Sequence, residues 1–433
     1  MHGEARGQAR DGSQGWMEEG WIRMLRSLQD AVSGLQMHQQ WMDVVGNNIA
    51  NVSTPGFKES TMTFAPLFAQ TLTAGARPTA TSGGTNPAQL GLGVGLGNIT
   101  QNLSQGALQQ TGIPTNLALQ GSGYFMLSQN GQGTGYTRVG DFSFDANGNL
   151  VEQTTGFRVL GWMANGSGTL PAQNSANLQP IVIPSGTAKA PQATSAFAFQ
   201  GNLDAQTSAS NPVSIPMKVY DSLGQPVDLL CTLTPAGSDT WNWKVTDPSG
   251  TSGLSGGTSG TVTFSSSTGA ETASTGGPFS IQPSGAASSS ITPGFSALTQ
   301  FAGSTTANPG KQDGYAAGSL QSLAVDHSGL ITGTFSNGLT QVLGQVAVST
   351  FANPQGLVQQ GQSIYTAGNN SGRANVVVAG TGGAGTIASG SLEGSNVDLA
   401  SAFTQMIAAQ RGFQANAQVI TTVNQMLQSL VTL

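Results

Sequence analysis

The stretch SNVDLASAFTQMIAAQRGFQANAQVITTVNQMLQSLV (residues 395–431) decides the fold of the carboxyl end, because its apolar residues recur in steps of three and four. This carboxyl stripe consists of Leu399, Phe403, Met406, Phe413, Ala417, Ile420, Leu427 and Val431, with Gln410 and Asn424 as polar members. Asn396 is predicted as the N-cap, with Asp398 as a favourable charge in the first turn. Since no proline follows, the sequence predicts one helix over residues 397–433, about 55 Å long.

The amino-terminal part of the chain carries a matching pattern between Met24 and Asn51. This amino stripe consists of Leu25, Leu28, Val32, Leu35, Met42 and Ile49, with Gln39 and Gly46 as imperfect members. The face opposite the carboxyl stripe is rich in Gln, Thr and Asn, with Arg411 as its clear charge, whereas a solvated coiled coil usually carries Glu and Lys there. Burial of so few apolar side chains does not offset the entropy of ordering a long helix. We therefore expect both ends to be partly disordered alone and ordered by packing against each other or against other copies.

Between the two ends, short β-branched and aromatic runs alternate with turn dipeptides. In residues 123–162, Asn130-Gly131 and Asn147-Gly148 are strong hairpin signals. Residues 212–250 and 316–368 show the same pattern, which predicts antiparallel sheet. Residues 250–290 are rich in Gly, Ser and Thr, and are predicted as a loose loop or an exposed extension of a sheet. The predicted architecture is therefore nested, with terminal helices, an inner β-rich domain and an insertion at the middle of the chain.

Composition excludes several classes of function. Charged residues make up 8% of the chain, against roughly 25% in an ordinary soluble protein, which suits a surface that faces identical neighbours. A net charge of -6 without any run of Lys and Arg argues against nucleic-acid binding. Cys231 is the one cysteine, so no internal disulfide is possible, and with three histidines it offers no recognised metal-ligand spacing. We predict a buried, inert thiol, and neither a metal site nor a cofactor.

Two family signatures stand at opposite ends of the sequence. The run SGLQMHQQWMDVVGNNIANVSTPGFK (residues 33–58) resembles the amino-terminal signature of flagellar rod and hook proteins, and residues 395–431 resemble the carboxyl signature of the same family. The Asn47, Asn48 and Asn51 side chains suit left-handed geometry and capping of freed carbonyl groups, while Pro55 and Gly56 end the helix. Residues 83–95, 219–229 and 319–357 resemble hook-protein segments. The likeness covers nearly everything from Met24 onward except the Gly/Ser/Thr-rich stretch.

The resemblance implies a mainly β, nested multi-domain axial protein with paired terminal α-helices. Residues 24–60 plus 392–433 are expected to form the helical polymerisation domain, 61–161 plus 315–391 the inner β-rich domain, and 162–314 the outer β-domain. Residues 1–23 are expected to be disordered, or to precede a true start at Met17 or Met24. They lack the apolar core of a cleavable signal peptide, and no stretch approaches the ~20 apolar residues that span a membrane.

As implied by the same resemblance, the chain is a hook subunit that polymerises into a flexible tube transmitting torque from rod to filament. Its expected partners are other copies of itself, the distal rod protein, the hook cap protein, the hook–filament junction protein and the flagellar export apparatus. The expected location is the hook outside the cell, with no membrane insertion. The stripe residues are the candidate polymerisation interface.

Other classes of function remain open as alternatives. A distal rod subunit resembles this chain at both ends but is shorter in the middle, and a secreted β-rich adhesin would carry a cleavable signal. For an enzyme, alternating Gly91, Gly93, Gly95 and Gly97 do not fit a phosphate-binding loop and predict a strand edge or tight loop. His38 and His327 have no nucleophile motif nearby. Asp221 and Asp326 occur in turn-like contexts where Asp caps its own backbone, so no catalytic residue is predicted.

Overall fold

The computed structural model describes residues 12–128, 134–184, 186–237 and 239–432, with side chains from residue 24 onward except those of residues 430 and 431. Two α-helices stand at the ends, α1 (Gly12–Ala50) and α2 (Leu399–Val431). The described residues between them form β-strands and two short 3₁₀ turns, Ser175–Asn177 and Pro354–Gly356. The prediction of a mainly β chain with paired terminal helices is confirmed.

The limits of both helices differ from those predicted. Helix α1 already begins at Gly12, so residues 12–23 are helical and the prediction of disorder is wrong for them; residues 1–11 lie outside the described part of the chain. Helix α2 begins one residue after Asp398, whose carboxylate accepts from the N–H of Ala400 at 2.9 Å. Asn396 is not the N-cap as predicted, because its side-chain oxygen accepts from the N–H of Glu59 at 2.8 Å.

A two-stranded ribbon follows α1 and lies outside the inner sheet. The first strands of the chain are β1 (Ser60–Pro66), β2 (Ala69–Thr73), β3 (Ala88–Gly91), β4 (Val94–Gln101) and β5 (Leu108–Gln110). β1 pairs with β4 and β2 with β3, both antiparallel, so the prediction that the inner domain begins at residue 61 is wrong. Gly91 ends β3, Gly93 lies in the connection with φ +95°, and Gly95 and Gly97 lie within β4, which agrees with the predicted strand edge or tight loop.

Next come strands of the inner domain. They are β6 (Leu117–Gln120), β7 (Tyr124–Ser128), β8 (Thr134–Thr137), β9 (Phe142–Phe144), β10 (Leu150–Glu152), β11 (Arg158–Met163), β12 (Gln179–Pro180) and β13 (Ala188–Lys189). The outer domain follows with β14 (Ala196–Asp204), β15 (Val213–Tyr220), β16 (Pro226–Gly237), β17 (Thr240–Thr246), β18 (Ser255–Gly256), β19 (Ser259–Phe264), β20 (Glu271–Ser274), β21 (Phe279–Ile281), β22 (Ser289–Phe301) and β23 (Asn308–Gln312). The chain then returns to the inner domain with β24 (Gly318–Val325), β25 (Leu330–Phe335), β26 (Thr340–Thr350), β27 (Val358–Gly361), β28 (Ile364–Thr366), β29 (Asn375–Val378), β30 (Thr386–Ser389) and β31 (Ser391–Glu393).

A 13-stranded sheet dominates the inner domain, and its central path runs β13-β24-β25-β26-β11-β7-β8-β28-β27. Strand β7 is buried on both faces. Successive side chains of a strand point to opposite sides, and those of β7 enter two different cores. Phe125 and Leu127 belong to one apolar core, whereas Tyr124 and Met126 belong to a second. The short strand pairs β6–β30 and β5–β31 lead from this sheet toward the helices.

The outer domain consists of two five-stranded sheets, β15-β16-β17-β19-β20 and β18-β21-β22-β14-β23. Both sheets contribute to one apolar core, which includes the fully buried Trp241 and Trp243. The Gly/Ser/Thr-rich stretch is strand-forming, and its Phe264 and Phe279 are buried in this core. A loose loop is therefore wrong for this stretch; the alternative, an exposed extension of a sheet, is right about the strands but wrong about the exposure of these side chains.

The insertion begins later than predicted. Strands β11, β12 and β13 all pair within the inner sheet, and Trp162 and Ile181 are buried in the inner cores. The two crossing segments meet where Gln192 and Tyr315 exchange backbone hydrogen bonds of 3.1 and 3.0 Å. The start at residue 162 is wrong by about thirty residues, whereas the end near 314 agrees with this crossing.

Aspartate-capped turns close three hairpins in the same way. The carboxylates of Asp145, Asp221 and Asp326 each accept backbone N–H groups two and four residues further along. This confirms the capping predicted for Asp221 and Asp326, and the turn predicted at Asn147-Gly148. The second predicted turn, Asn130-Gly131, lies outside the described residues.

Cys231 lies on β16 inside the outer core and is completely buried, as predicted. Burial raises the pKa of its thiol to about 12, so almost no thiolate forms near neutral pH. We expect a maleimide at pH 8 to leave the native chain unlabelled for hours and to label it fully in denaturant, as followed by mass spectrometry. Rapid stoichiometric labelling of the native chain would contradict this burial.

Candidate polymerisation site

Helices α1 and α2 form an antiparallel pair held by small residues. A Cβ added to Gly412 would lie 2.4 Å from Cε1 of His38, and one added to Gly34 would lie 2.8 Å from Nδ2 of Asn416. At both positions a Cβ would collide with the facing side chain, so glycine makes room for His38 and Asn416. We call the line of contact between α1 and α2 the helix seam.

The buried side chains of the two helices are Ala31, Val45 and Asn48 on α1, and Ala402, Ala409 and Val423 on α2. Each position on α2 lies one residue before a predicted stripe member, as Ala402 does before Phe403. On α1 likewise, Ala31 precedes Val32. One residue turns a helix by about 100°, so the most buried positions lie beside the predicted stripes, although the stripe members Gly46 and Met406 still face each other across the helix seam.

The predicted stripe residues are consequently half-buried or exposed. Leu25 is 50% exposed, Val32 38%, Leu399 41% and Phe403 53%. The half-buried members are Leu28, Leu35, Met42, Ile49, Met406, Phe413, Ala417, Ile420 and Leu427. The side chain of Val431 lies outside the described residues. Ile407, which the stripe omits, is exposed to 57%.

The asparagine-rich end of α1 fixes how the chain leaves the helix. Asn48 is completely buried, and its amide donates to the carbonyl of Ser60 at 2.8 Å and accepts from its N–H at 3.0 Å. Of the three asparagines predicted to cap freed carbonyl groups, Asn51 does so, since its amide donates to the carbonyl of Asn47 at 2.9 Å. None of these asparagines is left-handed as predicted: Asn47 and Asn48 still lie within α1, and the left-handed residue is Gly56, with φ +66°. Pro55 follows the helix end at Ala50, as expected.

A buried ion cluster joins both helix ends to the inner domain. Glu393, just before α2, meets Lys58 Nζ at 2.6 Å and Arg138 Nε at 3.1 Å. All three side chains are at least 94% buried. Lys58 also donates to the carbonyl of Ser104 at 2.8 Å. Burial lowers the pKa of Lys58, and its bond to Glu393 opposes that effect.

Sequence reasoning missed this cluster, although Lys58 ends the first signature and Glu393 lies two residues before the second. The signal available in the sequence was a pair of opposite charges, Lys58 and Glu393, at the inner edges of the two signatures. Because the cluster carries one acid and two bases, its charges balance only in part. It ties the exit of α1, the end of β8 and the entry to α2 into one junction, which we call the helix–sheet junction.

The ribbon adds a second set of exposed apolar side chains. Its root packs on α1, where the rings of Phe64 and Trp41 meet edge to face at 5.7 Å. Further along, Phe68 is 87% exposed. The exposed apolar residues of the ribbon are Phe64, Leu67, Phe68, Leu72, Leu90, Leu92, Leu96 and Ile99.

Among the described residues, no group of three or more His, Cys, Asp or Glu side chains could hold a metal ion. Neither helix, over the residues that are described, is long and apolar enough to cross a membrane.

Four models of known families match the chain. Residues 28–58 match "Flagella basal body rod protein", and residues 118–202 match "Flagellar hook protein FlgE/F/G D1 domain". Residues 187–315 match "Flagellar basal body protein FlaE D2 domain", and residues 388–433 match "Flagellar basal body rod FlgEFG protein C-terminal". The matches place both signatures and both β domains in proteins of the flagellar axis.

Curated relatives match along nearly the whole chain. Flagellar hook protein FlgE of Treponema pallidum is 38% identical over 95% of this chain and 100% of its own length. The protein of the same name from Borreliella burgdorferi is 36% identical over 95% of this chain and 100% of its length. Flagellar basal-body rod protein FlgG of Bacillus subtilis is 30% identical over 95% of this chain and 99% of its own length.

A helix pair beside nested β domains, with these matches, defines an axial structural protein of the bacterial flagellum. The chain belongs to the family of the flagellar hook protein FlgE and is a structural subunit of the hook, where such subunits form a homopolymer. The resemblance drawn from the two signatures is thereby confirmed. The family is a structural one.

Proposed function

We propose that copies of this chain polymerise through the faces of α1 and α2 that point away from the helix seam, together with the ribbon. The observation that carries the proposal is the exposure of Phe403 and Ile407, which are 53% and 57% accessible on the outer face of α2. Large apolar side chains in a continuous exposed patch mark an interaction surface. The predicted stripes flank the helix seam, so neighbouring helices can cover them.

The three parts of the chain then take different radial positions in the tube. Terminal helices line the inside, the inner domain forms the middle shell and the outer domain lies outermost. Two observations support separable domains: the outer core is built entirely within residues 197–298, and the D2 model begins at residue 187. Outer domains with few charges can slide past each other as the tube bends, while the apolar helix contacts hold the inner radius.

An open helical polymer grows by heterologous contacts, so its two ends differ and need different partners. We propose that the distal rod protein meets one end and the hook–filament junction protein the other. During growth the hook cap protein covers the distal end, and the flagellar export apparatus delivers each copy to the cell exterior. The chain's place in the hook supports these assignments.

Replacement of Phe403 and Ile407 by glutamine tests the helix contacts. Glutamine is a good helix former and both positions are exposed, so the thermal midpoint of the purified chain should not move by more than about 2 °C. Each lost apolar contact removes about 1.5–3 kcal/mol from the polymer interface. The concentration needed for tube formation, scored by negative-stain microscopy, should rise at least a hundredfold, since 1.4 kcal/mol is a factor of ten.

The matched control changes Leu223 and Phe301 of the outer domain to glutamine. They are 60% and 51% exposed, so this variant and the helix variant both replace one aromatic and one aliphatic side chain of similar exposure. This variant should form tubes at nearly the wild-type concentration. Normal assembly by the helix variant would remove α2 from the polymer interface.

A further inference from the structure

The outer helix faces are nearly uncharged, which makes the few charges on them informative. Over the residues with described side chains, α1 carries Arg26, Asp30 and Asp43 as its Asp, Glu, Lys and Arg residues, and α2 carries Arg411. Arg26 and Asp30 are four residues apart on one helix, where opposite charges can satisfy each other. Asp43 and Arg411 have no such neighbour.

Asp43 lies on the exposed face of α1, on the same side as Leu25 and Val32, whereas the exposed residues nearest to it, Gln39, Gln40 and Asn47, are polar. Asp43 follows Leu25 by eighteen residues, which is five helical turns, and Val32 by eleven, which is close to three. All three side chains are exposed. Arg411 is exposed too, and it follows Ile407 and Phe403 by four and eight residues on the outer face of α2. Each helix therefore presents one charge on the face proposed as a polymer contact.

These two charges cannot meet within one copy. The helices are antiparallel, with His38 against Gly412, and both Asp43 and Arg411 lie on the sides turned away from the helix seam. The ion pairs among the described residues join Lys58 and Arg138 to Glu393, and neither Asp43 nor Arg411 takes part. The Arg411 guanidinium donates to the side-chain oxygen of Gln414, in its own helix, at 3.4 Å.

Burial in a homopolymer would leave each charge unpaired, at a high energetic cost, unless a neighbouring copy supplies an opposite charge. Every copy supplies one of each, so the stoichiometry is one to one in any array. A contact between different surfaces of successive copies is also what an open helix requires. We propose that Asp43 of one copy forms an ion pair with Arg411 of a neighbouring copy, an inference that rests on the proposed helix contacts.

Charge reversal of the full chain tests the pair. D43R and R411D should each raise the concentration needed for tube formation about a hundredfold, because each places like charges together at a covered site. The double variant D43R/R411D restores opposite charges and should assemble within a few-fold of wild type. Both positions are exposed, so the thermal midpoints of all three variants should match wild type and report intact folding.

Mixing the two single variants gives an independent readout. D43R carries two positive charges and R411D two negative ones, so alternating copies satisfy every contact, and a 1:1 mixture should form tubes where neither variant does alone. If the single variants fail but neither the double variant nor the mixture assembles, the pairing is overturned while the helix contacts stand. If the single variants assemble like wild type, the pairing is also overturned. Assembly of the Phe403 and Ile407 variant then tests the helix contacts independently.

Discussion

Replacement of Glu393 by glutamine should destabilise the inner domain by about 3–5 kcal/mol, since it leaves two buried cations without their anion. Glu393 is 1% exposed and accepts from Lys58 Nζ at 2.6 Å and from the N–H of Gly106 at 3.0 Å. A loss of this size is a large part of the 5–15 kcal/mol that holds a typical domain together. Urea denaturation followed by circular dichroism measures it.

A change of Lys58 to methionine is the matched comparison. It removes one cation and leaves Arg138 paired with Glu393, so the buried charges become balanced. Its cost should therefore be clearly smaller than that of the glutamine variant, although the bond to Ser104 is lost. If the methionine variant were the less stable of the two, charge imbalance would not be what makes Glu393 essential. Neither change should affect the melting of the outer domain, which has its own core.

The helix–sheet junction shows what a single sequence does not reveal. Lys58 and Glu393 are 335 residues apart, and no local pattern connects them. Periodicity, by contrast, correctly located both terminal helices, because it is a local property of the helix. Turn chemistry correctly identified the caps at Asp221 and Asp326 for the same reason.

The one-residue rotation of the helix seam has a different cause. Periodicity follows large apolar residues such as Val32 and Phe403, but the two helices approach each other through small ones, Ala31 and Ala402. A helix that other copies also cover carries apolar residues on more than one side. Its sequence therefore shows that apolar faces exist without showing which partner each face contacts.

The predicted start of the insertion failed because both β domains are built from the same kind of short strand. The boundary lies where Gln192 and Tyr315 exchange hydrogen bonds, and nothing in the composition changes there. The apolar core in which a residue is buried shows the domain to which it belongs, and Ile181 and Ile183 are buried in a core of the inner domain.

Replacement of residues 193–314 by Asn-Gly should remove the outer domain and leave the inner domain folded. Gln192 and Tyr315 already face each other as an antiparallel pair, and a two-residue Asn-Gly turn is suited to closing such a pair. The excised segment contains the whole outer core. Calorimetry of the full chain should show two transitions, and the shortened chain should keep the inner one within a few degrees.

A second deletion, which joins residue 161 directly to residue 315, separates the two boundaries. It removes Trp162, Ile181 and Ile183, all of which are buried in the inner cores. Loss of a large buried side chain costs about 2–5 kcal/mol, so the three together exceed or equal the stability of a typical domain. We expect this chain to show no cooperative transition. If it melts like the shorter deletion, residues 162–189 belong energetically to the outer domain, and the boundary at Gln192 and Tyr315 is wrong.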